Sequence, residues 1–172
     1  RPGGDPACGR RLTELHSRPV SASFRIGADE NGLGSRLGPM VVTAVLARVD
    51  ERGARLLARK LPAKLADMIG DSKQRVSHDN VALGEAWARA LVDPEFASPA
   101  EVFGGLSLEG VERLRAPCPD HVRAQCWSIA GESFGADPGL VSAATRARAE
   151  LCRRGVEVLA VKSSVICTER LN

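Results

Sequence analysis

The stretch FRIGADENGLGSRLGPMVVTAVLA, residues 24–47, contains two apolar segments separated by a glycine-rich turn. The first segment starts at Phe24 and predicts a strand that ends at Asn31 and Gly32. The second segment, over 40–46, is almost continuously apolar and β-branched, which is typical of a strand covered on both faces. Two strands joined by a turn therefore form the predicted start of a sheet.

Downstream of this stretch, helical patterns alternate with strand patterns. The segment DERG at 50–53 has hairpin-turn chemistry and predicts that 54–60 returns as a third strand. Strands followed by alternating helices and strands are typical of an α/β fold, and we expect a mixed β-sheet flanked by helices. The other predicted elements are helices over 62–69, 78–92 (Ser77 as N-cap) and 138–154 (between Asp137 and Gly155), short helices from Pro99 and Ser107, and strands over 122–130 and 156–167.

Length and composition favour a single domain. The chain has 172 residues, of which 44% are hydrophobic and 26% charged, and these fractions are ordinary for a globular protein. Residues 1–22 lack apolar periodicity and contain Pro, Gly, Arg and Ser, which predicts a loosely ordered N-terminal arm before a domain over 23–172. Because the chain begins at Arg1 and ends just after a predicted strand, we expect further sequence beyond one or both ends.

The composition also restricts the possible partners and compartment. A net charge of +3 is compatible with an anionic partner, but 3% aromatic residues disfavour a protein that stacks single-stranded bases, and Trp87 is expected in the core. No apolar stretch approaches the roughly 20 residues that cross a bilayer and no signal peptide is visible, so we expect a cytoplasmic protein without membrane association. Five cysteines without small-scaffold spacing predict a reducing compartment and mostly free thiols, with Cys152 and Cys167 in the core.

Two adjacent carboxylates, Asp29 and Glu30, lie at the end of the first predicted strand. Neighbouring strand residues point to opposite faces, so both side chains can serve one site only where the strand ends and twists. Gly32 and Gly34 supply such an ending and allow close approach of a substrate backbone, although their spacing excludes a dinucleotide-binding fingerprint. From residue chemistry alone, this pair forms a solvated turn more often than a site.

A second loop combines small, hydroxyl and basic groups in Gly70-Asp71-Ser72-Lys73. Backbone N–H groups, the Ser72 hydroxyl and the Lys73 ammonium can together hold a phosphate. The alternative is a turn that leads into the next helix. The tetrapeptide alone does not distinguish a phosphate site from such a turn.

Taken in order along the chain, these segments resemble the type 2 ribonuclease H family. Residues 27–34, followed by 38–45, are similar to the family's opening: a strand, Asp-Glu, a glycine-rich turn, Gly-Pro and an apolar strand. Asp71-Ser72-Lys73 looks like the family's Asp-Ser-Lys segment, and Asp137 stands before a helix as the family's third acidic residue does. The resemblance covers roughly residues 24–165 and is most specific at the first two motifs.

The resemblance implies a ribonuclease H-like fold and a monomeric endoribonuclease that uses Mg²⁺ or Mn²⁺. Its substrates would be the RNA strand of RNA–DNA hybrids or ribonucleotides embedded in duplex DNA. Oxygen ligands from clustered carboxylates suit these hard cations, and a 2′-OH distinguishes RNA from DNA. The implied catalytic and metal-binding residues are Asp29, Glu30 and Asp137, and the implied substrate-binding residues are Gly32, Leu33, Gly34, Arg36, Asp71, Ser72 and Lys73.

The chain departs from the family pattern in two places. Leu33 stands where the family turn usually has a basic residue, for which Arg36 could substitute. The last predicted strand carries Lys162 and Ser163 where the family has a fourth carboxylate, and a lysine ammonium among carboxylates would mimic a bound cation. The alternative hypothesis is therefore a catalytically impaired ribonuclease H-like module that binds nucleic acid.

A separate cluster of soft ligands lies at Cys118, His121 and Cys126. Sulfur and imidazole ligands at this spacing suit Zn²⁺, but a structural zinc site needs a fourth ligand, which Cys152 or Cys167 could provide. The alternative places Cys126 in the core of a strand and His121 on the surface. A zinc-anchored protein-interaction fold is the third hypothesis.

Overall fold

The computed structural model describes residues 22–31, 39–71, 80–110 and 131–166. Within these residues the chain forms a three-stranded sheet in the order β1-β2-β3, and both strand pairs are antiparallel. The combination of helices and a sheet confirms the predicted α/β class. The strands are β1 (Ser23–Asn31), β2 (Met40–Val49) and β3 (Val156–Ile166), and the helices are α1 (Glu51–Leu57), α2 (Ala63–Ala66), α3 (Ala82–Leu91), α4 (Pro99–Leu106) and α5 (Pro138–Arg153).

The segment after β2 is a helix, so the predicted hairpin turn over 50–53 and third strand over 54–60 are wrong. Asp50 has an extended backbone and its Oδ1 accepts a hydrogen bond from the Gly53 N–H at 2.8 Å, which makes it the N-cap of α1. Aspartate serves hairpin turns and helix N-caps by the same side-chain-to-backbone bond, so its presence alone does not separate the two.

Of the three helices in the middle of the chain, α2 begins after a proline and α4 after a capping serine. α2 follows Pro62 as predicted but ends at Ala66, and α3 begins at Ala82, whereas the predicted cap Ser77 lies outside the described residues. α4 starts after Ser98, whose side chain forms a reciprocal capping box with Glu101. The helix expected to start at Pro99 is therefore confirmed.

Ser107 ends a helix and does not begin one. Its backbone N–H donates to the Phe103 carbonyl at 2.8 Å, which closes the last turn of α4. The next residue, Leu108, donates its N–H to the Ser163 carbonyl at 2.8 Å, and Ser107 forms a parallel bridge with Ser163. The chain is thus held at the edge of β3, and the predicted helix from Ser107 is absent from residues 107–110.

The α5–β3 unit confirms its prediction at both ends. Asp137 caps the helix through its side chain and Pro138 occupies the first turn. Gly155, with φ +90, follows the helix and leads directly into β3 at Val156. Both ends of this helix can be predicted from the sequence because the N-cap and the helix-ending glycine each depend on only a few neighbouring residues.

α2, α3 and α5 pack on one face of the sheet. Val49 and Val156, on β2 and β3, are 1% and 6% exposed and lie in one buried cluster with Leu65 and Leu151. A second cluster joins α3 to α5 through alanines, and it contains Ala86, Ala90, Ala136, Val141 and Ala144. Small side chains at this contact allow the two helix axes to approach closely.

Trp87 packs in the core, as predicted. Its indole Nε1 donates to the Met68 carbonyl at 2.7 Å, and it lines an apolar cavity of about 310 Å³ together with Val45, Leu83 and Val158. This hydrogen bond satisfies the indole N–H, and the ring stabilises the packing of α3 on the sheet.

Cys152, in α5, is half-buried and forms a disulfide bond, so it is not among the free thiols that the composition predicts for most of the cysteines. The other four cysteines lie outside the described residues, as do residues 1–21 of the predicted arm and the predicted strand over 122–130. No helix in the described ranges is long and apolar enough to cross a membrane.

The cap at Asp50 makes stability depend on pH. The hydrogen bond from the Gly53 amide, together with the Arg52 guanidinium, holds the pKa of the Asp50 carboxyl below its ordinary value. A lowered pKa in the folded state gives stability that is present above the unfolded pKa of about 4 and is lost as the pH falls through the folded pKa. We therefore expect wild type to be more stable than Asp50→Asn at pH 7, with a difference that shrinks below about pH 4.

Urea unfolding of both proteins at pH 7 and at about pH 3 measures this difference. Asparagine is a good N-cap, so Asp50→Asn keeps a side-chain acceptor and removes only the charge. An equal difference in unfolding free energy at the two pH values would show that the Asp50 charge does not stabilise α1.

Candidate metal and nucleic-acid site

The sheet register places Asp29 in a row with two hydroxyl side chains. Asp29 on β1 pairs with Thr43 on β2, and Thr43 pairs with Ser163 on β3. Directly paired residues project to the same face, and the Thr43 Oγ1 and Ser163 Oγ atoms are 2.9 Å apart. Val45, two residues from Thr43, faces the helices, so this polar row lies on the helix-facing side of the sheet.

Glu30 belongs to the opposite face. It pairs with Val42, which pairs with Ser164 on β3. β1 continues regularly to Asn31, so the two carboxylates project to opposite sides of a strand that has not yet ended. Both are exposed, and Asp29 Oδ1 accepts a hydrogen bond from the Glu30 N–H at 3.0 Å.

Lys162 shares a face of the sheet with Glu30 and not with Asp29. It pairs with Ala44 and so lies on the face opposite to Asp29. Its Nζ donates to the Gly105 carbonyl at 2.9 Å and is 3.5 Å from the Ser107 carbonyl, at the C-terminal end of α4. A cation at this end of a helix compensates the exposed carbonyls. The hydrogen bonds of this ammonium in the described residues are thus with carbonyls of α4, and they give no support to the hypothesis that it replaces a bound metal ion.

Ser163 is the residue of the last strand that shares the row of Asp29. It is 9% exposed, and Ser107, which bridges to it, is 8% exposed. The last strand thus presents a hydroxyl where the family resemblance implies a carboxylate. The half-buried Thr43 and the buried Ser107 complete this polar cluster, and neither was predicted from sequence because their placement depends on tertiary contacts and strand register.

Asp137 lies at the same end of the sheet as Asp29. α5 joins β3 through Arg154 and Gly155 and packs back against it, so helix and strand run in opposite directions. The 16 residues of α5 span about 24 Å, which corresponds to about seven residues of β3. The start of α5 is therefore level with the part of β3 that carries Ser163.

The three implied carboxylates do not form one metal centre within the described residues. β1 and β3 are separated by β2, a distance of roughly 10 Å between strand axes. Asp137 is exposed and its Oδ1 accepts the Leu140 N–H at 3.0 Å as a helix cap. Across the described ranges, no group of three or more His, Cys, Asp or Glu side chains is arranged to hold a metal ion.

The remaining predicted site residues fall mostly outside the described ranges. Asp71 is exposed and follows Gly70, five residues after the end of α2. The residues outside the described ranges are Gly32, Leu33, Gly34 and Arg36 of the glycine-rich turn, Ser72 and Lys73 of the second loop, and Cys118, His121 and Cys126 of the zinc hypothesis.

Comparison of the chain with protein-family models, curated proteins and solved structures gave no match.

Proposed function

We propose that the protein is a type 2 ribonuclease H-like endonuclease that cleaves the RNA strand of RNA–DNA hybrids, or ribonucleotides embedded in duplex DNA, with Mg²⁺ or Mn²⁺. Two ordered motifs support the resemblance, at residues 27–45 and 71–73. The observation that carries the proposal is the location of Asp29, Glu30 and Asp137 at one end of the sheet, each exposed and each on an element that the sequence predicts.

The arrangement of carboxylate ligands in the described residues restricts where a metal ion would bind. No three-ligand protein site exists in the described residues, but Mg²⁺ is commonly held by one or two carboxylates, several waters and the phosphates of the substrate. The proposal therefore assigns the metal to the complex with nucleic acid and not to the protein alone. When bound, such a metal activates water and stabilises the leaving oxygen of a phosphodiester.

The protein's own residues provide the surroundings of this chemistry. Asp29 supplies an exposed negative charge on the helix-facing side of the sheet, two residues before β1 ends. In the same row, the half-buried Thr43 and the buried Ser163 share a hydrogen bond that connects β2 to β3. β1 pairs with β2 along its whole length, and this pairing sets the face to which the Asp29 carboxylate projects, as metal and substrate positioning require.

A cleavage assay tests the proposal. Purified protein is incubated with an end-labelled RNA–DNA hybrid, a DNA duplex containing one ribonucleotide, and an all-DNA duplex, in Mn²⁺, Mg²⁺ or EDTA. We expect cleavage of the first two substrates with either metal, none in EDTA, and none of the all-DNA duplex because it lacks a 2′-OH. Intact substrates under every metal condition would contradict the proposal.

A second candidate function is a ribonuclease H-like module that binds duplexes without cleaving them. The observation that favours it is the register, which directs Asp29 and Glu30 to opposite faces and places Ser163 in the row where a carboxylate was expected. This module would bind the hybrid with an affinity that falls as salt rises, because phosphate contacts release counterions. Binding without cleavage in the same assay supports this function over the first.

A further inference from the structure

We infer that a cavity between α3 and the first turns of α5 binds a phosphate group. The inference rests on the proposed function only where it assigns that phosphate to a nucleic-acid strand. The cavity has a volume of about 410 Å³, within the range of small-ligand sites. Its polar lining residues are Arg89, Glu95, Ser142, Thr145 and Arg146.

Arg89 is a largely buried cation whose hydrogen bonding is incomplete. Its side chain is 14% exposed and stacks on the Phe134 ring, with Cζ 3.9 Å from the ring centroid. Its Nε is buried and has no hydrogen-bond partner among the described residues. Because this Nε has almost no accessible surface, a ligand in the cavity would meet the terminal N–H groups of the guanidinium and not Nε.

The nearest carboxylate to Arg89 is committed to other donors. Glu85 lies 3.9 Å from the Arg89 guanidinium, at the limit of an ion pair. Its two oxygens accept hydrogen bonds from the N–H groups of Gly135 and Ala136, at 2.8 and 3.0 Å. Glu85 therefore fixes the loop before α5 and compensates only part of the Arg89 charge, because its hydrogen bonds are made to backbone N–H groups.

The opposite wall adds a second cation and a hydroxyl donor. Ser142 and Arg146 are four residues apart on α5, so their side chains lie on the same face of the helix, and both are exposed. Thr145 donates its hydroxyl hydrogen to the Val141 carbonyl at 3.0 Å and so offers no donor to a ligand. The donors facing the cavity are thus two guanidinium groups and one serine hydroxyl.

The electrostatics of the cavity favour an anion. Glu95 is the one carboxylate in the lining and is exposed to solvent, whereas the lining contains two guanidinium groups. Pro138, in the first turn of α5, also lines the cavity, but the Asp137 carboxylate already caps this end of the helix, so the attraction for an anion comes from the two guanidinium groups. Guanidinium groups bind phosphate oxygens in a bidentate manner, which makes phosphate the matching ligand class.

The cavity lies next to one of the carboxylates of the proposed site. Asp137 caps α5 immediately before Pro138. A strand with one phosphate held by Arg89 and Arg146 would therefore pass beside Asp137. The cavity would then position a neighbouring phosphate of the same nucleic acid and take no part in bond cleavage.

Binding measured without metal tests this inference independently of cleavage. Anisotropy of a labelled RNA–DNA hybrid is recorded in EDTA over a range of salt concentrations for wild type, Arg146→Gln, Arg146→Lys and Ser142→Ala. Arg146 and Ser142 are exposed, so these variants are expected to fold. Arg153→Gln is the matched control, because Arg153 is on the same helix but pairs with Glu150 at 2.6 Å near its other end.

We expect Arg146→Gln to weaken hybrid binding about tenfold and to reduce the salt slope by about one unit. Arg146→Lys should retain the slope and recover part of the affinity, since lysine keeps the charge but not the bidentate geometry. Ser142→Ala should weaken binding by less than Arg146→Gln, and Arg153→Gln should bind as wild type does.

Titration with a nucleoside monophosphate and with inorganic phosphate distinguishes the source of the phosphate. Loss of nucleoside monophosphate binding in Arg146→Gln, with unchanged hybrid binding, supports a phosphate cavity that takes a small ligand. Wild-type affinity of Arg146→Gln for the hybrid, the nucleotide and inorganic phosphate overturns the inference. If that result is obtained and wild type still cleaves the hybrid, the phosphate cavity is excluded and the proposed function is not.

Discussion

Asp29→Asn is expected to lose at least about 100-fold of the cleavage rate in Mn²⁺ while retaining the fold. Replacing residues that only orient a metal ligand already costs roughly 10–100-fold, and Asp29 is proposed to contact the metal itself. Asparagine has the same shape and its Oδ1 can still accept the Glu30 N–H, a bond of 3.0 Å in wild type. The substitution therefore removes the charge that a hard cation requires and little else.

Glu157→Gln is the matched control for Asp29→Asn. Glu157 is on β3, where it pairs with Arg48 near the opposite end of the sheet. It undergoes the same change from carboxylate to amide, and exposed ion pairs contribute at most about 1 kcal/mol to stability. Cleavage at the wild-type rate by Asp29→Asn, with Glu157→Gln also unchanged, would exclude Asp29 from the chemistry.

The parts of the fold that were predicted correctly depend on short-range interactions. α5 was predicted from Asp137-Pro138 at its start and Gly155 after its end, and each of these signals acts within one turn of the helix. α1 was missed because Asp50 has the same preference for a turn and for an N-cap. The choice depends on whether the following residues pack as a helix, which the local sequence does not determine.

The face on which each residue of β3 lies was not predictable from alternation. Val156 and Val158 pair with Val49 and Ala47 on the helix-facing side, but the register shifts between Leu46 and Ala47. Without that irregularity, alternation from Val156 would place Lys162 beside the polar row. The extra residue in β3 instead brings Ser163 into the row and directs Lys162 to the other face.

The phosphate cavity illustrates a second limit. Arg89 lies on α3 and Arg146 on α5, and the two are brought together by the alanine contact between these helices. In the sequence, each arginine stands among other charged residues on an amphipathic helix, which is ordinary for a solvated surface. Only the burial of Arg89 and its unsatisfied Nε distinguish it, and both follow from tertiary packing.

Gly53→Ala is expected to destabilise the protein by about 2 kcal/mol, although alanine favours helices over glycine by up to about 1 kcal/mol. Gly53 is buried in α1, and a Cβ there would lie far inside van der Waals contact with the carbonyl group of Gly155. That carbonyl oxygen also accepts the Asp50 N–H at 2.9 Å. Both partners are backbone groups, so no side-chain rotation relieves the overlap.

Gly155 cannot relieve the overlap with Gly53→Ala by moving, because it holds a φ of +90 that ends α5 and starts β3. Thermal unfolding should show a melting temperature lower by roughly 4–8 °C for a protein of this size. Gly27→Ala is the control, since a Cβ at Gly27 meets nothing within 4 Å and β1 is exposed there. A Gly53→Ala protein as stable as wild type would mean that α1 does not pack against the Gly155 turn, at the end of the sheet where Val49 pairs with Val156.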